Sequence, residues 1–263
     1  MPNSKHIHYK NKSIHYQMFG KGSAVMLLHG LPVNSNVWNG LAISLQNNFL
    51  VIAPDIPGTG KSEMLEGENV SIEDYAEVIK EILNKESISQ CTMIGHSMGG
   101  YITLAFAEKY PESLNGFGLF HSSAFADDDE KKQTRRKAIE FIKANGAYAF
   151  LRTSTPKLFA GKEHLKEMEE VIEEGKSFNA EALIQYYQAM IKRPDRTAVL
   201  KTFSKPVLFI IGEKDTVVPL QVSLQQCYFP TISHVHVLET GHMGMIEESN
   251  NSQLIVKSFL ENI

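Results

Sequence analysis

Most of the short β-rich runs in this chain are apolar at consecutive positions instead of alternating ones, and this restricts the fold more than any other feature of the sequence. Residues 13–19, 24–28, 49–53, 91–94, 114–120, 206–211 and 235–238 read as strands. A strand that is apolar throughout must be covered on both faces, which is the condition of a parallel strand flanked by helices. The amphipathic stretches 71–85 and 98–109 supply the crossover helices. The expected class is therefore α/β, with a doubly wound, mostly parallel sheet.

Between about residues 121 and 196 the strand signal stops, and about half of the chain's charged residues gather in helical patterns. This stretch is expected to be an inserted helical cap, residues 122–196, on a core made of residues 1–121 and 197–263. Its first helix should begin within Asp127-Asp128-Asp129-Glu130 and end at Asn145-Gly146, with acidic residues at the start and glycine just past the end. A last cap helix should run from Asn179 to about Lys192 and stop before Pro194. Phe159, Tyr186 and Met190 are candidates for the pocket wall, although an amphipathic cap helix must also bury one face against the core. Trp38 and the Ser122-Ser123 pair are expected near the mouth.

A chain of 263 residues that is 43% hydrophobic can bury a core as one large domain with an insertion. Its formal charge of -4 gives no pull toward nucleic acid or anionic lipid. Cys91 and Cys227 cannot form a disulfide framework and read as small buried thiols. The first sixteen residues contain no apolar signal run, and no apolar stretch is long enough to span a bilayer, so the expectation is a soluble cytoplasmic protein. Gly58-Thr59-Gly60 follows a strand, but Glu63 stands where a dinucleotide fingerprint needs its third glycine, and no P-loop is present. No Cys or His cluster has metal-ligand spacing. Neither cofactor nor metal is expected.

The strongest local signal is Gly95-His96-Ser97-Met98-Gly99, placed between the strand at 91–94 and the helix at 98–109. A turn this tight forces the serine into a strained backbone conformation, and side chains at the two glycines would collide with the adjoining strand and helix. The turn lifts the hydroxyl of Ser97 above the sheet at a helix N-terminus, where developing negative charge is favoured. A serine hydroxyl is a weak nucleophile at neutral pH, so it needs a base and an acid that fixes the base's tautomer. Asp215 follows the strand at 206–211 and His242 follows that at 235–238, in the chain order serine, acid, histidine. Glu213 is the rival acid, but Asp215 precedes a loop, Thr216-Val217-Val218-Pro219, that can aim a short carboxylate. His96 adjoins the serine but should point away from it, and His29 is assigned to loop support. The backbone N–H groups of Leu31 and Met98 are the expected oxyanion donors, with Gly30 permitting close approach.

Over nearly its whole length the sequence resembles enzymes of the α/β-hydrolase fold. The resemblance places Ser97 at the nucleophile elbow, Asp215 and His242 as acid and base, and Leu31 and Met98 at the oxyanion hole. It reads Asp55-Ile56-Pro57-Gly58-Thr59-Gly60-Lys61-Ser62 as a structural loop, and the cap sits where this family inserts one. Serine at position 97 argues against the dehalogenases and epoxide hydrolases of this fold, which use aspartate. The loop at His29-Gly30-Leu31-Pro32 also lacks the glycine run of lipases. The implied function is a serine carboxylesterase or lactonase acting on a small-molecule ester. The alternatives are a carbon–carbon bond hydrolase of the same fold and a hydrolase-like receptor that turns over slowly.

Overall fold

The computed structural model describes residues 3–263, so the first two residues of the expected core segment 1–121 lie outside the described residues. Eight strands form one sheet: β1 (Asn3–Tyr9), β2 (Lys12–Gly20), β3 (Ser23–Leu28), β4 (Phe49–Pro54), β5 (Cys91–His96), β6 (Leu114–Phe120), β7 (Val207–Gly212) and β8 (Ser233–Leu238). Their order is β1-β2-β4-β3-β5-β6-β7-β8. The β1–β2 and β2–β4 pairings are antiparallel, and β3 through β8 run parallel with β4. The sheet is thus mostly parallel and doubly wound, as its apolar runs require. β5 and β7 are buried at every residue, which explains why they carry no alternation. The edge strand β8 does alternate, with Val235 and Val237 exposed, which is the pattern of a strand with one face left to solvent.

The crossover helices form where the pattern places them. Ile72–Lys85 opens with a capping box in which Ser71 accepts from the Asp74 amide and the Asp74 carboxylate accepts from the Ser71 amide. Met98–Lys109 is buried along almost its whole length, because it packs between the sheet, the helix Ile72–Lys85 and the segment beyond β6.

Between β6 and β7 the chain is helical among the described residues, with Asp129–Asn145, Ala147–Ser154, Leu165–Glu174, Ala180–Lys192 and Thr197–Thr202. The first begins on an Asp128 cap and ends at Gly146, and Asn179 caps the helix that ends at Lys192. Buried polar contacts fasten this stretch to the rest. Asp127, 3% exposed, pairs with Arg135 at 2.5 Å and Arg193 at 2.9 Å. The Arg193 guanidinium lies 3.9 Å from the centre of the Tyr101 ring, on the helix that follows Ser97. Gln185 accepts from the Tyr75 hydroxyl and donates to the Leu65 carbonyl, each at 3.0 Å. Tyr186 is fully buried and donates to the Pro57 carbonyl, so it anchors the loop after β4. Trp38 is also fully buried, beside Phe120, and does not stand at an open mouth.

Candidate active site

Every residue singled out for chemistry lies beyond the carboxyl end of a parallel strand, and Ser97 sits at the topological switch point. From β3 the chain passes to β4 on one side and to β5 on the other, which opens a crevice between the ends of β3 and β5. Ser97 closes β5 with φ 51° and ψ -115°, a conformation that costs a non-glycine residue on the order of 1–3 kcal/mol. The glycines explain how the turn closes. A Cβ at Gly95 would overlap the Gly99 backbone, and one at Gly99 would stand 2.6 Å from the His29 carbonyl oxygen. Ser122 donates to the Ser97 carbonyl at 2.7 Å and braces the elbow from the end of β6.

The serine hydroxyl lies 2.8 Å from His242 Nε2, and His242 Nδ1 lies 2.7 Å from Asp215 Oδ2. Because a carboxylate only accepts, the proton of a neutral His242 sits on Nδ1, leaving Nε2 to accept from Ser97. Asp215 Oδ1 accepts from the amides of Val217 at 2.8 Å and Val218 at 3.0 Å, so the loop before Pro219 aims the carboxylate as its sequence suggests. Asp215 is 5% exposed, whereas the rival Glu213 is exposed to solvent. Burial pushes the Asp215 carboxyl up, but the charge and hydrogen bond of His242, with the His121 ring beside them, outweigh it and hold the group well below the usual carboxylate range.

His242 must reach back across the sheet to meet Ser97. It follows β8, three strands from β5, a lateral gap of roughly 14 Å at ordinary strand spacing. Three groups draw its loop inward. His96 Nε2–H donates to the His242 carbonyl at 2.8 Å, the Gly244 amide donates to His121 Nε2 at 3.2 Å, and the His242 amide donates to the Leu158 carbonyl at 2.6 Å. His96 thus braces the His242 loop through this hydrogen bond. Burial pushes both His96 and His121 below the ordinary histidine range, so each stays neutral at neutral pH.

His121 escapes a reading of the sequence because it sits one residue past an apolar strand without any motif. Its φ of 47° is not visible in the sequence either. Leu158 is equally hidden, since it acts through a backbone carbonyl.

The loop after β3 lies against the serine. A Cβ added at Gly30 would come within 2.8 Å of the Ser97 Cβ, which places the adjoining Leu31 beside the elbow. Met98 opens the helix on the other side. His29 supports this loop as expected: its Nδ1–H donates to the Gly30 carbonyl at 2.8 Å, and Nε2 accepts from the Ile56 amide at 3.0 Å. Among the described residues no group of His, Cys, Asp and Glu could hold a metal ion, and no helix is long and apolar enough to cross a membrane.

Residues 23–137 match the family model described as alpha/beta hydrolase fold. Over 113 residues the chain is 33% identical to an uncharacterized protein of Mycobacterium tuberculosis strain H37Rv, covering 43% of this chain and 33% of that protein. The chain therefore spans about a third of the length of that relative. It is 28% identical over 260 residues to a pimeloyl-[acyl-carrier protein] methyl ester esterase of Aeromonas salmonicida, covering 94% of this chain and 99% of that one. A thermophilic esterase from Thermogutta terrifontis superposes with a TM-score of 0.92 at 25% identity, over 98% of both chains.

Proposed function

We propose that this chain, which belongs to the α/β-hydrolase fold superfamily, is a serine hydrolase that cleaves small carboxylic esters or lactones through an acyl-enzyme on Ser97. The observation that carries this reading is the unbroken run of short contacts from Ser97 Oγ through His242 to Asp215 at a strained elbow. Ser97 Oγ attacks the ester carbonyl while His242 Nε2 takes its proton. The N–H groups of Leu31 and Met98 receive the oxyanion, and collapse of the tetrahedral intermediate expels the alcohol, which takes the proton back from His242. Water then attacks the acyl-enzyme by the same route and releases the acid. Asp215 keeps His242 in the required tautomer and stabilises the imidazolium as it forms.

In this reading residues 122–196 act as a cap that sets substrate preference. Phe159 is the first residue to test, because the backbone of residues 158–160 packs on Gly241 and His242. Similarity to a pimeloyl-[acyl-carrier protein] methyl ester esterase supports an ester as the bond cleaved.

The test is labelling with a fluorophosphonate, followed by peptide mapping. The peptide bearing Ser97 should carry the adduct in the wild-type chain, and Ser97→Ala should lower kcat by roughly 10⁴- to 10⁶-fold. An unlabelled Ser97 peptide would overturn the assignment. Sustained turnover of short nitrophenyl esters separates a hydrolase from a receptor, which would give a burst without a steady rate.

A further inference from the structure

A second serine, histidine and carboxylate stand in line at the opposite side of the sheet. Ser4 on β1 has its Oγ 2.7 Å from His15 Nε2, and His15 Nδ1 lies 2.9 Å from Asp55 Oδ2. The corresponding distances at Ser97 are 2.8 and 2.7 Å. The register explains the meeting. Ser4 pairs with Gln17, so His15 is its diagonal neighbour on the same face of the β1–β2 ladder. Asp55 follows β4, the next strand over, and reaches His15 from beneath.

The proton positions follow from the donors present. Asp55 is 3% exposed and ionised: burial pushes its carboxyl up, but the Lys61 amide on Oδ2 at 2.9 Å and the Ser35 amide on Oδ1 at 3.0 Å outweigh that and hold it low. A carboxylate accepts only, so in the neutral ring of His15 the hydrogen sits on Nδ1 and Nε2 is the acceptor. Nε2 therefore accepts from the Ser4 hydroxyl. His15 is buried and fixed, whereas Ser4 is exposed. The arrangement has the polarity of a nucleophile, base and orienting acid, with the nucleophile open to solvent.

We propose that Ser4 is a second nucleophilic site, a surface hydroxyl activated by His15 and Asp55 that accepts acyl or phosphonyl groups from activated donors. With an activated aryl ester, Ser4 Oγ forms a bond to the carbonyl carbon as His15 Nε2 takes its proton. The bond to the aryl oxygen breaks, and the departing phenolate recovers the proton, leaving an O-acyl serine. With a fluorophosphonate, the oxygen–phosphorus bond forms and fluoride leaves, the proton passing through His15 to water. Ser4 lies within a strand and not at a helix N-terminus, so water supplies the donors for the developing oxyanion. The loss of one built donor costs about 10²- to 10³-fold in rate, and Ser97 is given two, so Ser4 is slower than Ser97 by at least that order. No residue is shared between this line and that of Ser97, His242 and Asp215.

The experiment uses the full chain as Ser97→Ala, incubated with a fluorophosphonate and read by intact mass and by fragmentation of the N-terminal peptide. One adduct on Ser4 is expected. Adding Ser4→Ala should abolish it, and adding His15→Gln or His15→Asn should slow it at least tenfold. A far-ultraviolet circular dichroism spectrum and thermal unfolding midpoint of His15→Gln that match those of the parent chain show that the variant is folded. No adduct on Ser4, or an adduct formed as fast in a folded His15 variant, overturns the proposal. Ser97 is scored on its own peptide in the wild-type chain, so either assignment can fail without the other.

Discussion

His121 Nδ1 stands 3.5 Å from Asp215 Oδ2, on the same carboxylate oxygen that faces His242 Nδ1 at 2.7 Å. The carboxylate is thus held between two imidazoles. The Gly244 amide donates to His121 Nε2, so the hydrogen of neutral His121 is on Nδ1 and points its positive end at Asp215. At 3.5 Å the contact is longer than a hydrogen bond and acts as an electrostatic support.

Removing that support should change the pH profile of the proposed ester cleavage. In His121→Phe the carboxylate loses a donor, becomes more basic and favours the imidazolium of its partner. The acidic limb of kcat/KM should move to higher pH, by up to about one unit. His121→Asn, which keeps an N–H donor, should fall between the two. A profile measured from pH 5 to 8 checks this, and an unmoved limb in folded His121→Phe would assign His121 a purely structural role.

Asp215 and Glu213 can be separated by isosteric amides. Asp215→Asn should lower kcat on the order of 10⁴-fold, because the amide can hold His242 in the wrong tautomer. Glu213→Gln, at an exposed position, should stay near the wild-type rate. Steady-state kinetics on one nitrophenyl ester decide between them.

Stability should fall as the solution is acidified through the histidine range. His29, His96 and His121 are buried, and burial pushes each below its ordinary range. Between their folded and unfolded values the unfolded chain binds more protons, so unfolding free energy rises with pH, by at most about 1.4 kcal/mol per unit for each group. The depressed carboxyl of Asp215 adds a loss of the same sign below about pH 4. Thermal unfolding midpoints should drop steadily from pH 7.5 to 5, and His121→Phe should flatten the slope.

The Asp127, Arg135 and Arg193 cluster should behave as a buried ionic unit. Asp127→Ala leaves two guanidinium groups in the interior without their carboxylate, which should cost about 3–5 kcal/mol. Denaturant unfolding would measure it. A loss below about 1 kcal/mol would mean that water reaches the site.

Much of this protein is determined by residues close together in sequence. The apolar runs, the Ser71 cap, the Gly146 stop and the Gly95–Gly99 elbow are local, because strand burial, helix ends and a tight turn depend on a few neighbouring side chains. The order of Ser97, Asp215 and His242 is legible for the same reason, since each follows a strand that can be read by itself. What only the tertiary structure decided lies between strand ends. The strand order β3-β5-β6-β7-β8 sets His121 beside Asp215 and lets His96 and Leu158 draw the His242 loop inward. The antiparallel β1–β2 register brings Ser4 to His15 above Asp55. None of these pairs has a period or a spacing in the chain, because they depend on which strands become neighbours, and that choice is made by burial of the whole sheet.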